Sequence, residues 1–342
     1  MPCQVTIKPS NHHFTVSGDE TILDGALREG FNIAYGCRNG SCGSCKGKLL
    51  GGRVDYGNYS SSALLDVEKK NGYALFCQAT PLTDVEIECR EISAIKDIQV
   101  RTLPCRVQKL ERLAPDVMMI YLRLPANERL QFLAGQYIDI LTKSGLRRSL
   151  SIATAPHDDD VLHLHLRNYG GPFSLYVFNT LKEKDILRLE GPLGTFFLRE
   201  DSEKPIILLA SGTGFAPIKS IIEHALHKKV QRPMILYWGC RVRADLYLHE
   251  LAERWARDHG ITYVPVLSEA RPDDHWTGRT GFVHRAVMED FPDMSGHQVY
   301  ACGAPIVIES ARRDFTAQCK LPPDEFFSDA FTPSAQQADT GS

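Results

Sequence analysis

Nowhere in the 342-residue chain does an apolar run approach the roughly 18 residues that suggest a membrane-spanning helix. The first residues, MPCQVTIKPSNHHF, lack the basic start and apolar core of a secretory signal. These two absences set the expectation of a cytoplasmic protein. An excess of one charge is missing too. The 39 Lys and Arg face 42 Asp and Glu, and the net charge of −3 gives no basis for nucleic acid as a partner. No internal repeat is visible, and no acid–base pair stands out as a catalytic couple.

Cysteine, by contrast, is plentiful, with ten in all. A chain this long without an export signal argues against a disulfide framework, and clustered cysteines in a reducing compartment point to metal or redox chemistry. Cys37, Cys42 and Cys45 lie within nine residues, and the other seven are scattered. Cys3, Cys89 and Cys105 read as small buried hydrophobes.

Three rhythms divide the chain. Residues 1–92 read as one α+β unit. It has a hairpin from Val5-Thr6-Ile7 and Phe14-Thr15-Val16, a short helix from Thr21 to Glu29 opened by Asp19 or Thr21, and a closing strand over Val85–Cys89. Residues 93–102 read as a linker. Residues 103–199 carry short alternating strands at 118–122, 136–141, 150–152 and 161–166, spaced as in a small antiparallel β-barrel. In 161–166 the leucines are expected in the core, with His163 and His165 at the surface; Arg167 continues the alternation. Residues 200–331 switch to continuous apolar strands alternating with helices (216–229, 245–258, 281–290, 304–318). That is the order of a doubly wound α/β parallel sheet. Residues 332–342 are polar and expected to be disordered.

The most specific motif is Cys37-x4-Cys42-x2-Cys45, followed by Cys77. This is the spacing of plant-type 2Fe-2S ferredoxins. Three thiolates on one loop wrap one side of the cluster, and a distant fourth closes it. The glycines of YGCRNGSCGSCKG let the backbone approach the inorganic sulfides and donate N–H bonds to them. A structural zinc site is the alternative. Such sites pair ligands in two short knuckles, whereas Cys77 stands alone, 32 positions after Cys45.

Further on, Arg148-Ser149-Leu150-Ser151 resembles the Arg-x-Tyr-Ser flavin signature of the ferredoxin–NADP reductase superfamily. The resemblance implies that Arg148 meets a flavin phosphate and Ser151 hydrogen-bonds near flavin N5. Leu150 departs from the pattern: it can cover the ring face but forfeits aromatic stacking and a hydroxyl contact. Downstream, Asn168-Tyr169-Gly170-Gly171-Pro172-Phe173-Ser174 ends a strand and opens a helix, a favourable seat for a pyrophosphate. The resemblance assigns that of FAD to Gly170, Gly171, Phe173 and Ser174.

Ser211-Gly212-Thr213-Gly214-Phe215-Ala216-Pro217 joins a buried strand to a helix about 60 residues beyond the flavin signature. It resembles the nicotinamide motif of the same superfamily through Gly212, Thr213, Gly214 and Pro217. Tyr300-Ala301-Cys302-Gly303 matches the element that places Cys302 and Gly303 near nicotinamide C4. Of the aromatic residues Phe326, Phe327 and Phe331, Phe331 is assigned to the other flavin face. Asp245 would repel a 2′-phosphate, and Arg241 or Arg243 would attract one; the wider resemblance favours NADH.

Taken together, the resemblance covers nearly all of residues 1–331. It is to reductase components of bacterial oxygenases and to CDP-6-deoxy-Δ3,4-glucoseen reductases. It implies an iron–sulfur flavoprotein that takes hydride from NADH and hands electrons singly, through FAD and a 2Fe-2S cluster, to a partner protein. Ser151 and Cys302 would border the reacting atoms. The partner would be an oxygenase component or a pyridoxamine-phosphate-dependent dehydrase, docking near Arg38–Ser44. The alternative class is a redox sensor or electron carrier whose flavin site does not function, for which Leu150 is the sole support.

Overall fold

The computed structural model describes residues 2–331, except 90 and 159, with only the main chain of Ser93. The expected disordered tail at 332–342 lies outside the described residues. Two compact units emerge. One is the described chain up to Gln99 with Gly194–Phe196; the other is Val100–Leu193 and the described residues from Phe197.

In the first unit, β1 (Cys3–Lys8) and β2 (His13–Val16) form the expected hairpin, with Val5 opposite Phe14. Helix α1 (Ile22–Arg28) is capped by Thr21, whose Oγ1 accepts from the Asp24 N–H at 3.1 Å. Strands β3 (Lys46–Gly51), β5 (Tyr73–Leu75) and β7 (Val85–Glu88) complete a five-stranded sheet ordered β2-β1-β7-β3-β5. Only β1 and β7 in it run parallel. A small pair, β4 (Val54–Asp55) and β6 (Thr80–Pro81), and a single-turn helix α2 (Asp66–Lys70) lie between them in sequence. Val5, Ile7, Leu23, Ile33, Leu75, Phe76 and Ile87 are fully or almost fully buried in one apolar cluster, so alternation along β1 and β7 decides which face is core.

The second unit holds two sheets. β8 (Arg101–Ala114), β9 (Val117–Arg123), β10 (Tyr137–Leu141), β11 (Arg147–Ser151), β12 (Val161–Arg167) and β13 (Ile186–Leu193) are antiparallel, ordered β11-β10-β13-β8-β9-β12. An Ile152–Leu164 bridge joins the two outermost strands and closes the barrel. Helix α3 (Pro172–Asn179) has Gly171 as its N-cap and Pro172 at its first position. The expected linker is shorter than 93–102, because β8 already starts at Arg101.

A parallel sheet follows, ordered β17-β16-β15-β14-β18-β19. It is built from β14 (Ile206–Ser211), β15 (Met234–Cys240), β16 (Thr262–Leu267), β17 (Arg279–Thr280), β18 (Gln298–Gly303) and β19 (Phe326–Ala330). The connecting helices are α4 (Phe215–His227), α5 (His249–His259), α6 (Val283–Asp290) and α7 (Pro305–Gln318). From β14 the chain winds to β15 on one side and returns to β18 on the other, so β14/β18 is the topological switch point where such sheets hold ligands. The helix expected from Asp245 begins later, at His249; Asp245 ends a single 3-10 turn. Among the described residues, no helix is long and apolar enough to cross a membrane.

Candidate redox sites

The cysteine loop runs from Gly36 into β3. Cys42, Cys45 and Cys77 are buried and Cys37 is half-buried. The lone Cys77 reaches the loop through main-chain bonds. Phe76 N–H donates to the Cys45 carbonyl (3.1 Å), and the first N–H groups of α1, Ile22 and Leu23, donate to the Ala79 and Phe76 carbonyls. The segment bearing Cys77 is thereby pinned between α1 and the loop.

The thiols pair as Cys37 with Cys42 and Cys45 with Cys77. Hydrogen bonding from Cys37 lowers the Cys42 thiol pKa, and Cys45 likewise lowers Cys77. The Cys37 and Ser44 N–H groups each donate to Cys42 Sγ at 3.4 Å. Gly40, at φ +75°, turns this backbone inward, and a Cβ there would stand 2.7 Å from the Asn58 carbonyl. Among the described residues, no three His, Cys, Asp or Glu side chains are set around a single ion. Two buried thiol pairs with N–H donors aimed at sulfur fit a binuclear iron–sulfur cluster, two ligands to each iron.

In the barrel, β11 presents Arg148 half-buried, with burial lowering its guanidinium pKa against the opposing pull of Asp139. Ser149 is exposed, and its hydroxyl donates to Asp139 (2.5 Å). Leu150 is 7% exposed and belongs to the barrel's apolar cluster. Ser151 is buried and its Oγ has no hydrogen-bond partner, as is also true of Thr154 Oγ1. Buried hydroxyls left open in this way are costly unless a bound group completes them, which fits a polar cofactor edge at this strand end. At the α3 N-terminus the Asn168 carboxamide accepts from Gly170 N–H and from Ser174 Oγ, both at 2.9 Å. Phe173 is buried in the barrel core.

At the switch point two backbones touch. A Cβ on Gly214 would lie 2.0 Å from the Cys302 carbonyl oxygen, and one on Gly303 would lie 2.4 Å from the Ser211 carbonyl. The sequence therefore needs glycine at both places for β14 and β18 to close on one another. Gly212 is tied by its carbonyl to Trp238 Nε1 (3.0 Å), and Trp238 stacks on Phe215 (3.9 Å). Thr213 is buried, and Pro217 lies within the buried first turns of α4. Cys302 is fully buried, and desolvation raises its thiol well above the usual range, so it stays protonated at neutral pH. The Phe331 N–H donates to the Gly303 carbonyl (2.8 Å), which sets Phe331 beside this pair. Phe326 and Phe327 open β19 at its amino end, where Phe326 is buried and Phe327 stacks on Tyr300.

Asp245 ends the 3-10 turn that follows β15. Its carboxylate is buried against Arg167 (Nη1–Oδ1 3.3 Å), with Arg241 at 3.6 Å. His165 is buried, not at the surface as expected, and so is Arg167. The outer face of β12 is covered by residues beyond β15: His165 Nδ1 meets Tyr247 OH (3.0 Å) and Arg167 meets Asp245. Sequence reasoning also passed over Lys219 and Ser220. They reach from α4 to the Ala153 and Thr154 carbonyls (3.2 and 2.7 Å), immediately beyond Ser151. Two adjacent polar residues in an otherwise apolar helix face were the available signal.

A thiol-lined loop, a barrel with an open hydroxyl at its signature strand, and a parallel sheet with glycine loops at its switch point define an iron–sulfur flavoprotein oxidoreductase. Family models agree. The 2Fe-2S iron-sulfur cluster binding domain matches residues 5–82, the oxidoreductase FAD-binding domain 104–198, and the oxidoreductase NAD-binding domain 208–313. The chain is 44% identical to the CDP-6-deoxy-L-threo-D-glycero-4-hexulose-3-dehydrase reductase of Yersinia pestis, over 98% of this chain and 100% of that protein. It is 36% identical to the phenol hydroxylase P5 protein of Acinetobacter pittii, covering 91% and 89%. A solved cytochrome P450 reductase of Amycolatopsis superposes with a TM-score of 0.75 at 32% identity, covering 97% and 99%.

The chain belongs to the family of fused ferredoxin–FAD–NAD reductases within the ferredoxin–NADP reductase superfamily. It carries a 2Fe-2S cluster, FAD and a nicotinamide cofactor, and it moves electrons from the last to an acceptor protein. The zinc and flavin-free alternatives fall with these matches.

Proposed function

We propose that this reductase feeds a pyridoxamine-phosphate-dependent dehydrase acting on a CDP-linked deoxyhexose. The observation that carries the reading is full-length identity of 44% to a reductase named for a CDP-6-deoxy-hexulose 3-dehydrase. The lower identity to the phenol hydroxylase protein favours, second, an oxygenase component as acceptor.

In this reading Cys37, Cys42, Cys45 and Cys77 ligate the two irons. Arg148, Ser149 and Leu150 line the flavin, and Ser151 supplies its open hydroxyl to the flavin edge. Gly170, Gly171, Phe173 and Ser174 form the helix start that seats the FAD pyrophosphate; Phe173 acts from the core by fixing that turn. Gly212, Thr213, Gly214 and Pro217 present the loop to the nicotinamide dinucleotide, Cys302 and Gly303 border its reacting ring, and Phe331 covers the other flavin face. The buried thiol form of Cys302 suits a positioning contact and not a nucleophile. When bound, FAD accepts both electrons of a hydride and the cluster passes them on one at a time.

NADH is the preferred donor. Arg241 leans on Asp245, and Arg243 donates to the Asp274 carbonyl (3.2 Å), so both arginines already have partners in place of a 2′-phosphate. Asp245 acts through its negative charge, which repels a 2′-phosphate. The site of action is the cytoplasm.

The test mixes the holoprotein with the dehydrase of Yersinia pestis. NADH oxidation should require both that dehydrase and its CDP-hexulose substrate, with a lower KM for NADH than for NADPH. Oxidation driven only by an oxygenase component would overturn the dehydrase assignment.

A further inference from the structure

Lys219 is 9% exposed and Ser220 fully buried, side by side in α4, a helix buried at nearly every position from Phe215 to Ala225. The helix continues without a break from the Gly212–Gly214 turn, so its placement carries the nicotinamide loop with it. Two hydrogen bonds tie it to the barrel. Lys219 Nζ donates to the Ala153 carbonyl (3.2 Å), and Ser220 Oγ to the Thr154 carbonyl (2.7 Å). Those carbonyls belong to the second and third residues after Ser151. The barrel holds the same stretch through its N–H groups. Ile152 donates to the Gln136 carbonyl (3.0 Å) and Ala153 to the His163 carbonyl (2.8 Å).

Stability alone does not call for polar groups here. A buried ammonium is costly, and Glu223 Oε2, at 2.6 Å, accompanies it into the interior. Well-packed apolar residues often hold such a place as firmly as a buried ion pair. Apolar contact has no direction, however, whereas a hydrogen bond fixes distance and angle.

We propose that Lys219 and Ser220 are positioning residues for hydride transfer: two pins that lock the nicotinamide loop to the strand end bearing Ser151. The inference rests on the reductase reading above and adds the residues that keep its two cofactor-bearing elements in register. Hydride transfer requires reacting atoms about 3 to 3.5 Å apart, and a misplacement of about 1 Å can cost about a hundredfold. Neither side chain touches a cofactor in this role; each acts through the main-chain carbonyl it holds.

The test follows flavin bleaching in the holoprotein by anaerobic stopped flow at rising NADH, which separates the limiting rate from the Kd. Ser220→Ala and Lys219→Met should each lower the limiting rate about tenfold, with the Kd for NADH within about twofold of wild type. Flavin content and the cluster bands should stay as in the wild type. Lys219→Arg, which keeps a buried cation with N–H donors, should recover most of the lost rate. Hydrogen exchange of the holoprotein gives a second readout: amides from Gly212 to Ala216 should exchange faster in the Ala and Met variants, and not in the Arg variant. Wild-type limiting rates in both variants would overturn the proposal. So would a raised Kd at an unchanged limiting rate, which would make the pins part of dinucleotide binding. Loss of flavin would overturn it too, by making them part of the flavin seat. A wild-type holoprotein whose flavin NADH does not bleach would sink the parent reading, and this one with it.

Discussion

At the cluster, three of four thiols come from one nine-residue loop, and the fourth is delivered by a short segment hydrogen-bonded to that loop's last cysteine. At the switch point, nothing is local. Gly214 meets Cys302 across two strands, and Asp245 meets Arg167 across two sheets. Both regions serve redox cofactors, yet one is written in spacing and the other in packing. A site whose donors follow one another in sequence can be read as a motif. A site made where backbones approach yields its glycines to the reader but not the contacts that require them.

The sharpest way to break the comparison is Cys42→Ser. Because Cys42 accepts two backbone N–H bonds and pairs with Cys37, its loss should abolish the cluster's visible and paramagnetic signals. NADH should still bleach the flavin in that variant, since the second unit contributes none of the thiols. Loss of flavin reduction as well would show that the two regions are not separately built.

Next in size is Asp245→Ala. It removes the nearer of two carboxylates facing the buried Arg167 guanidinium and leaves Asp116 at 3.6 Å, so the cost should stay below the about 3 kcal/mol of a fully broken buried pair. A lowered Tm with an unchanged cluster spectrum is expected. An unchanged Tm would mean that the pair is solvated and that Asp245 is available to a dinucleotide after all.

The smallest effect concerns pH. Burial, followed by repulsion from Lys219, lowers His163 to about 4 from its usual 6.5. The folded state therefore resists protonation that the unfolded chain accepts. The stability His163 contributes is complete above about pH 6.5 and is lost as pH falls towards about 4. Denaturant midpoints of His163→Gln should fall less steeply over that window than those of the wild type. Parallel curves would assign the acid sensitivity to other groups.

How much was legible follows the same division. The Cys37-x4-Cys42-x2-Cys45 spacing, the hairpin, and the change from alternating to continuous apolar strands placed the architecture correctly. Local rules failed where a second layer intervened. Alternation in β12 makes His165 look solvent-facing, because period-two patterning identifies two faces without saying what covers the outer one. Asp245 looked helical because the acidic start of α5 is blurred by a 3-10 turn, and its partner lies on a strand of the barrel. The partial strands β17 and β19 pair only at sheet edges, so their sequences carry too little apolar pattern to register.

Electron transfer from nicotinamide to cluster within one chain gives both regions their purpose. An anaerobic visible titration of the holoprotein with NADH tests it most directly. Flavin and iron–sulfur bands should both bleach. A flavin that bleaches beside a cluster that stays oxidised would contradict the account.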